Sequence, residues 1–222
     1  MSSRPELKLD WCSHEAAKYA VEKWHYSKSM PAGKQVRIGV WEGRLFTGVV
    51  CFSWGANNHI GSPYKLAQTE ICELVRIALN RHESSVSRIV SVALKMLKRQ
   101  SSGLRLVVSY ADPEQGHIGA VYQAGNWIYV GSSQPQKHSV LNGKLVHKRT
   151  VHAFLGSIKG VAKSQVLWKH KYLMPLDAEM RRRIEPLRKP YPKRACEVKD
   201  DTLADQAREG GETPTRTLQA PQ

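Results

Sequence analysis

Residues 70–131, EICELVRIALNRHESSVSRIVSVALKMLKRQSSGLRLVVSYADPEQGHIGAVYQAGNWIYVG, decide the fold of this chain. Apolar runs, helical spacing and turn residues alternate along the segment and predict a β-α-β-α-β unit. The predicted elements are a strand over 69–79, a helix over 86–99, a strand over 104–111, a capped helix over 112–124 and a strand over 126–131. Because crossovers of this length join parallel strands, we expect a mainly parallel sheet here.

The polar loop NRHESS follows the first strand, where such a unit forms a crevice at the carboxyl ends of its strands. Arg81, Ser84, Ser85 and Arg88 lie there at the start of a helix, and helix N-termini attract anions. These residues fit a cradle for a pyrophosphate. They also fit an ordinary helix cap with solvated charges, and the loop alone leaves both interpretations open.

Upstream of this unit, Ser13 is predicted to cap a helix that runs into the segment WHYSKSMPAGK. His25, Tyr26, Ser27 and Lys28 place an imidazole, a phenol, a hydroxyl and an ammonium together before a Pro/Gly turn. Such a loop is typical of a functional site. Histidine and lysine also stabilise the C-terminus of a helix, so the local sequence fits either interpretation.

A hairpin and a long loop separate this helix from the central unit. The segments QVRIGVWE and RLFTGVVCFSWG predict two strands joined across residues 42–44. Residues 55–68 are polar and rich in Gly and Asn, as in binding loops and lids. Glu73 then interrupts an apolar strand, so its carboxylate is either paired inside the protein or faces a site that raises its pKa.

The composition limits the class of protein. The chain has 222 residues, 41% of them apolar, and no apolar run long enough to span a bilayer. The first residues lack the apolar region of a secretory signal, and the four cysteines show no CxxC spacing. We therefore expect a reduced, cytoplasmic protein without a membrane partner.

The net charge of +15 is unevenly distributed. Residues 144–194 contain fourteen Lys or Arg and three acidic residues, whereas residues 197–222 contain six acidic residues and three basic ones. The basic stretch has aromatic residues among its charges, which favours nucleic acid as a partner over a generally basic surface. We predict a catalytic domain over 1–156, a basic extension over 157–196 that contacts DNA, and a disordered acidic tail over 197–222.

The order helix, hairpin, strand, basic loop, helix, strand, helix, strand resembles the GNAT acyltransferase fold. The resemblance implies an α/β (α+β) fold with a mixed central sheet flanked by helices, and a crevice that binds the pyrophosphate of an acyl-coenzyme A such as acetyl-CoA. It also implies that the phenol of Tyr122 protonates the departing thiolate. The loop departs from the family pattern, because Ser84 and Val86 stand where Gly and Gly/Ala are usual.

A closer resemblance, to the Mom family of phage DNA-modification proteins, covers residues 24–192. It is carried by WHYSKSMPAGK, IGVWEG, GANNHIG, QTEICELVRIAL and VVSYADPEQGHIGAVYQAGNWIYVG. It implies conversion of adenine in double-stranded DNA to N6-carbamoylmethyladenine, which hides restriction sites inside the bacterial host cell. The implied catalytic residues are His25, Tyr26, Asp112 and Tyr122, and His25, Tyr26 and Asp112 are the implied ligands of an iron ion.

The remaining expected contacts concern the donor and the DNA. The coenzyme A set combines the positions implied by the resemblance with the loop residues and comprises Arg76, Ile77, Arg81, Ser84, Ser85, Ser87 and Arg88. The residues expected to bind DNA phosphates are Lys28, Lys169, Lys171, Arg181, Arg182 and Arg183. A base flipped out of the duplex would stack on Trp54, Tyr64 or Trp127.

Two other functions stay open from the sequence. One is a GNAT N-acetyltransferase that acts on a protein or a small amine, and the other is a non-catalytic, DNA-binding anti-restriction protein. The occurrence of HYSK, ADPEQG and a basic extension in one chain favours the DNA-modifying enzyme, with His25 or Asp112 as the base and Tyr26 or backbone N–H groups at the developing oxyanion. A monomer and a homodimer are both consistent with the sequence.

Overall fold

The structure is a computed structural model that describes residues 5–31, 33–55, 59–141, 144–147 and 166–193. Its strands and helices, in chain order, are β1 (Leu7–Trp11), α1 (His14–Trp24), β2 (Gln35–Glu42), β3 (Leu45–Ser53), β4 (Ile71–Leu79), α2 (Val86–Gln100), β5 (Leu106–Ala111), α3 (Ala120–Ala124), β6 (Ile128–Ser132), β7 (Gln136–Leu141), β8 (Lys144–His147), β9 (Val166–Leu167), β10 (His170–Pro175) and α4 (Ala178–Ile184). Single turns of 3₁₀ helix cover Ser62–Tyr64, Gln68–Glu70, Pro113–Gln115 and Glu185–Leu187.

Seven strands form one mixed sheet in the order β1-β2-β3-β4-β5-β10-β6, and β8-β7-β9 form a small second sheet. The mixed sheet with flanking helices confirms the predicted fold class. The expectation of a mainly parallel sheet is wrong, because β4 and β5 are the one parallel pair among the described strands of the large sheet. β10 runs antiparallel between β5 and β6, so β6 does not pair with β5.

The two long helices cover opposite faces of the sheet, because alternate residues of a strand point to opposite sides. On one face, α1 packs its buried alanines and Val21 against Cys51 of β3 and Ala78 of β4. On the other face, the apolar stripe of α2 packs against Phe52 of β3 and Leu74 of β4. Both helices begin at a serine cap, and both fall where the sequence predicts them.

The helix predicted over 112–124 is not continuous. A 3₁₀ turn covers Pro113–Gln115, Gly116 and Gly119 then adopt left-handed backbone conformations, and α3 begins only at Ala120. At Gly119, a Cβ atom would lie 2.4 Å from a ring carbon of Tyr172, so both the φ angle and the space require glycine. This close approach depends on β10, which the local sequence does not reveal.

Part of the predicted basic extension belongs to the large sheet. β10 lies within the predicted basic extension and is the sixth strand in the sheet order. The described residues up to Pro192 belong to one compact unit. The strands β7 and β8 pair antiparallel as a hairpin, although its turn and the predicted acidic tail lie outside the described residues. No helix in the described ranges has both the length and the apolar character needed to cross a membrane.

Candidate active site

The sheet opens between β4 and β5. These parallel strands pair over a short stretch that ends with Leu74 opposite Ser109, although both strands continue beyond it. At the same place, the register between β3 and β4 shifts so that Val75 is an extra residue. A bulge beside two diverging strands forms a crevice at their carboxyl ends, where α/β proteins bind ligands.

Tyr122 lies at this opening. Its hydroxyl is 2.8 Å from Ser109 Oγ, and Ser109 Oγ donates to the Leu74 carbonyl oxygen over 2.9 Å. The Tyr122 ring packs against Trp127 and Tyr172, with 5.0 Å between ring centroids in each pair. Burial raises the pKa of Tyr122 to about 12, so the phenol keeps its proton at neutral pH.

The HYSK loop, residues 25–29, brings a second group of side chains to the site. His25 ends α1, and its ring packs against Tyr26 with a centroid distance of 4.3 Å. Tyr26 in turn packs against His117 at 5.6 Å. Arg76 of β4 donates from Nε to the Ser29 carbonyl oxygen over 3.3 Å and so holds the loop beside the crevice.

Ser27 fixes the tautomer of the neutral His25 ring. The Ser27 N–H donates to His25 Nδ1 over 3.1 Å, so the neutral ring carries its proton on Nε2. Burial lowers the pKa of His25 to about 4, and the nearby Arg76 and His117 contribute to the shift. His25 is therefore a neutral hydrogen-bond donor at neutral pH, an arrangement that suits an electrophilic role better than the predicted role of base.

Asp112 joins these residues from the end of β5. Its Oδ1 accepts the Glu114 N–H over 3.1 Å, which caps the 3₁₀ turn, and its Oδ2 lies 2.9 Å from Lys169 Nζ. Its carbonyl oxygen accepts the N–H of His117, also over 3.1 Å. Asp112 is thus both a structural cap and a charged member of the site.

Glu73 and Lys171 line the same face of β4 and β10. Burial lowers the pKa of Lys171, and the charge of Glu73 opposes this shift. The Lys171 ammonium lies 5.1 Å from the centroid of the Tyr64 ring, a cation–π contact. The backbone of Gly55 approaches Glu73 closely, because a Cβ at residue 55 would lie 3.2 Å from Glu73 Oε2.

The loop predicted to bind pyrophosphate is only partly available for that role. Ser84 is buried, and its N–H donates to the Glu42 carboxylate. Ser85 caps α2 by accepting the Arg88 N–H, whereas the side chains of Arg81 and Arg88 are exposed. Of the other predicted coenzyme A residues, Ile77 packs against the core, Ser87 lines a groove of about 430 Å³ along α2, and Arg76 contacts the HYSK loop.

The residues predicted to bind DNA fall into two places. Three lysines lie around the crevice. The charges of Lys28 and Lys169 lower the pKa of His25, and the charge of Glu73 acts on Lys171. The arginines of α4 come shortly after Pro175, the last residue of β10. Pro175 pairs with Leu106, the first residue of β5, whereas Asp112 follows the last residue of β5. The arginines and Asp112 therefore lie at opposite ends of β5.

Among the predicted stacking residues, Trp127 is 1% exposed and belongs to the core, so that prediction is wrong. Tyr64 is buried as well. Trp54 is 47% exposed and offers its indole to a ligand.

The predicted iron site does not fit these residues. Within the described ranges, no group of three or more His, Cys, Asp or Glu side chains is placed to hold a metal ion. Of the predicted ligands, Asp112 pairs with Lys169 and His25 Nδ1 accepts from Ser27, so two of the donor atoms already have protein partners.

Sequence reasoning missed two residues of the site. His117 stands five residues after Asp112 in the same motif, and its imidazole was a usable signal. Ser109 gave no signal, because a serine within an apolar strand is ordinary.

A seven-stranded mixed sheet that opens between its two parallel strands, with a neutral tyrosine at the opening, defines a GNAT-like fold. The chain belongs to the Mom protein family, whose model matches residues 6–193. It is 28% identical over 204 residues to methylcarbamoylase mom of Escherichia phage Mu, and the match covers 85% of this chain and 84% of that protein.

Solved structures with a similar fold include two acetyltransferases. The putative acetyltransferase yncA of Salmonella typhimurium, solved with acetyl-CoA, has a TM-score of 0.46 and 9% identity, covering 78% of this chain and 95% of that one. A GNAT-family acetyltransferase of Streptococcus pneumoniae has a TM-score of 0.45 and 12% identity, covering 78% and 100%. Both TM-scores are below 0.5, so these structures give no information about the site.

Proposed function

We propose that this protein, a transferase of the Mom family, modifies adenine in double-stranded DNA and uses an acyl-CoA such as acetyl-CoA as a donor. The proposed product is N6-carbamoylmethyladenine, made inside the bacterial host cell, where it protects phage DNA from restriction. One observation carries the proposal: the HYSK loop and Asp112 meet at the opening between β4 and β5, beside Tyr122.

The opening fits a donor of this kind. Beyond Leu74, the β4 backbone has no partner on β5, so its peptide groups can bind an extended ligand. Acyl-CoA supplies an activated acyl carbon and a thiol leaving group. Tyr122 keeps a proton at neutral pH and can donate it at the leaving sulfur.

The acceptor, the N6 amine of adenine, is less reactive than the donor. The N6 amine of adenine is a weak nucleophile because its lone pair is delocalised into the ring, so the reaction needs a base and close positioning. We assign His25 Nε2–H and the Tyr26 phenol as the donors to the developing oxyanion, because His25 Nδ1 already accepts from Ser27 and the Tyr26 ring packs against His25. Asp112 is the carboxylate that can accept the N6 proton, and Lys169 is its charged partner.

The target adenine must leave the duplex stack before it can react, at a cost of a few kcal/mol. The exposed indole of Trp54 is the stacking surface that we propose for it, and the charges of Lys28 and Lys171, which act on His25 and Glu73, are proposed to bind flanking phosphates. Transfer of an acetyl group alone leaves N6-acetyladenine. In the carbamoylmethyl product N6 is bonded to the methylene carbon instead of the carbonyl carbon, so the full reaction requires, besides the donor, an ammonia-level nitrogen source for the amide and a two-electron oxidant for the new N6–methylene bond.

The proposal is tested directly with purified protein, acetyl-CoA and plasmid DNA, in a reaction supplemented with a small-molecule extract of bacterial cells as the source of nitrogen and oxidant. Release of free thiol and the mass of each nucleoside are followed in the same reaction, with Tyr122→Phe as the control for the leaving-group step. Thiol release that depends on DNA, together with a heavier deoxyadenosine, supports the proposal. Thiol release with small amines or proteins but not with DNA indicates an N-acetyltransferase, and salt-sensitive DNA binding without thiol release indicates a non-catalytic binding protein.

A further inference from the structure

The IGVWEG segment carries part of the family resemblance, yet no catalytic residue is assigned to it. Its Glu42 ends β2 and is only 5% exposed, although carboxylates are rarely buried without partners. The partners are two consecutive N–H groups of the loop between β4 and α2. Glu83 N–H donates to Glu42 Oε2 over 2.6 Å, and Ser84 N–H donates to Oε1 over 2.7 Å.

We propose that Glu42 is a positioning residue for the donor, and that its carboxylate holds loop 80–85 in the conformation that presents the start of α2 to the pyrophosphate. The inference rests on the proposed use of an acyl-CoA. Glu42 is not expected to contact the donor itself, because β2 and β5 lie on opposite sides of β4 in the sheet. The two N–H groups that point to Glu42 are therefore turned away from the opening between β4 and β5.

The loop needs such a restraint. Arg81 has a φ of +52°, in the left-handed region that costs free energy for a residue with a Cβ and persists only where the surroundings hold it. The β2–β3 hairpin holds the loop at both sides of Arg81. The Asn80 N–H donates to the Thr47 carbonyl oxygen over 2.8 Å, and Glu42 binds the two N–H groups that follow His82.

The charge of Glu42 is essential to this role. Burial alone would raise the pKa of Glu42, but the N–H groups of Glu83 and Ser84 bring it below the usual value, so the side chain stays ionised. A carboxylate can accept from both N–H groups at once. A glutamine cannot, because its NH₂ group would face one of the two donors.

The affinity for coenzyme A, measured by isothermal titration calorimetry, tests the proposal. Glu42→Gln is compared with Glu22→Gln, which removes the same charge from an exposed i,i+4 pair with Lys18 on α1. We expect Glu42→Gln to weaken coenzyme A binding about tenfold or more, the effect of removing one charge-assisted hydrogen bond. Glu22→Gln should leave the affinity unchanged, and formate should restore binding by Glu42→Ala because it refills the site with a carboxylate.

Steady-state kinetics separate positioning from a loss of fold. The KM for the donor should rise in Glu42→Gln, while kcat at saturating donor and the affinity for DNA stay near the wild-type values. If Glu42→Gln does not fold, Glu42→Asp tests the same claim, because it keeps the charge but is too short to reach both N–H groups.

Three outcomes have distinct meanings. Equal coenzyme A affinity in wild type and Glu42→Gln overturns this inference and leaves the proposed function intact. Tighter binding by Glu42→Gln also overturns it, since the carboxylate would then compete with the pyrophosphate. Failure of the wild-type protein to bind coenzyme A overturns the proposed donor itself.

Discussion

The Nζ atom of Lys169 lies 2.9 Å from the Oδ2 atom of Asp112. The contact exists because β10 pairs with β5, which places His170 opposite Ala111 and so brings the residue before β10 next to the residue after β5. A lysine of the basic segment is thereby part of the candidate site. Lys169 also neutralises the charge of Asp112, a partly buried carboxylate that caps a 3₁₀ turn.

Asp112→Asn separates the two roles of this residue. Asparagine caps a helical turn about as well as aspartate, so the free energy of unfolding should change by less than about 1 kcal/mol. The variant loses its negative charge, and we expect DNA modification to fall to background. Urea unfolding measures the change in stability and nucleoside mass spectrometry measures the loss of modification. An active Asp112→Asn would exclude the carboxylate as the base.

Lys169→Gln should slow modification about tenfold or more, because Asp112 then lacks its charged partner. Nucleoside mass spectrometry measures this effect as well.

The orientation of the His25 ring predicts which amide can replace it. The Nε2 atom carries the proton of the neutral ring, since Nδ1 accepts from Ser27. The amide nitrogen of glutamine falls near the position of Nε2, whereas that of asparagine falls near Nδ1. We expect His25→Gln to retain more modification activity than His25→Asn at equal expression. The reverse order would show that the site uses Nδ1.

The buried, neutral His25 also makes stability depend on pH. Its pKa is about 4 in the folded protein and 6.5 in the reference state, so between these values the unfolded chain binds a proton that the folded protein does not. The free energy of unfolding should therefore decrease as the pH falls, by about 2 kcal/mol between about pH 6.5 and about pH 5. Denaturant titrations of wild type and His25→Gln check this. An equal loss of stability in both proteins would exclude His25 as its source.

The arginines of α4 test how far the DNA interface extends. Arg181, Arg182 and Arg183 lie at the end of β5 opposite to Asp112. If they bind DNA phosphates, the triple Arg→Gln variant should weaken binding and reduce the slope of log K against log salt by about 0.9 for each phosphate that is no longer neutralised. Lys8→Gln, an exposed charge on the edge strand β1, is the control. An unchanged slope in the triple variant would confine the interface to the lysines near the crevice.

Much of the fold was predictable because its elements are locally encoded. The apolar stripe and serine cap of α2, the β2–β3 hairpin and the strand before Asp112 all fall close to their predicted positions. The sheet order was not predictable, since it depends on β10, which pairs with β5 across a long separation in sequence. The break in the helix after Asp112 has the same cause, because Gly119 packs against Tyr172 of β10.

The site divides in a similar way. His25, Tyr26 and Asp112 lie in recognisable motifs, and the structure brings them together with His117. The burial of Trp127 and the pairing of Lys169 with Asp112 follow from tertiary packing that no local pattern encodes.

Nucleoside mass spectrometry of DNA from cells tests the central claim most directly. Plasmid DNA is isolated from bacteria that express the wild-type protein or Asp112→Asn, digested to nucleosides and compared. The proposed function predicts a heavier deoxyadenosine with the mass of the N6-carbamoylmethyl derivative, present only with the wild-type protein. An unmodified nucleoside profile from cells that contain folded wild-type protein would contradict it.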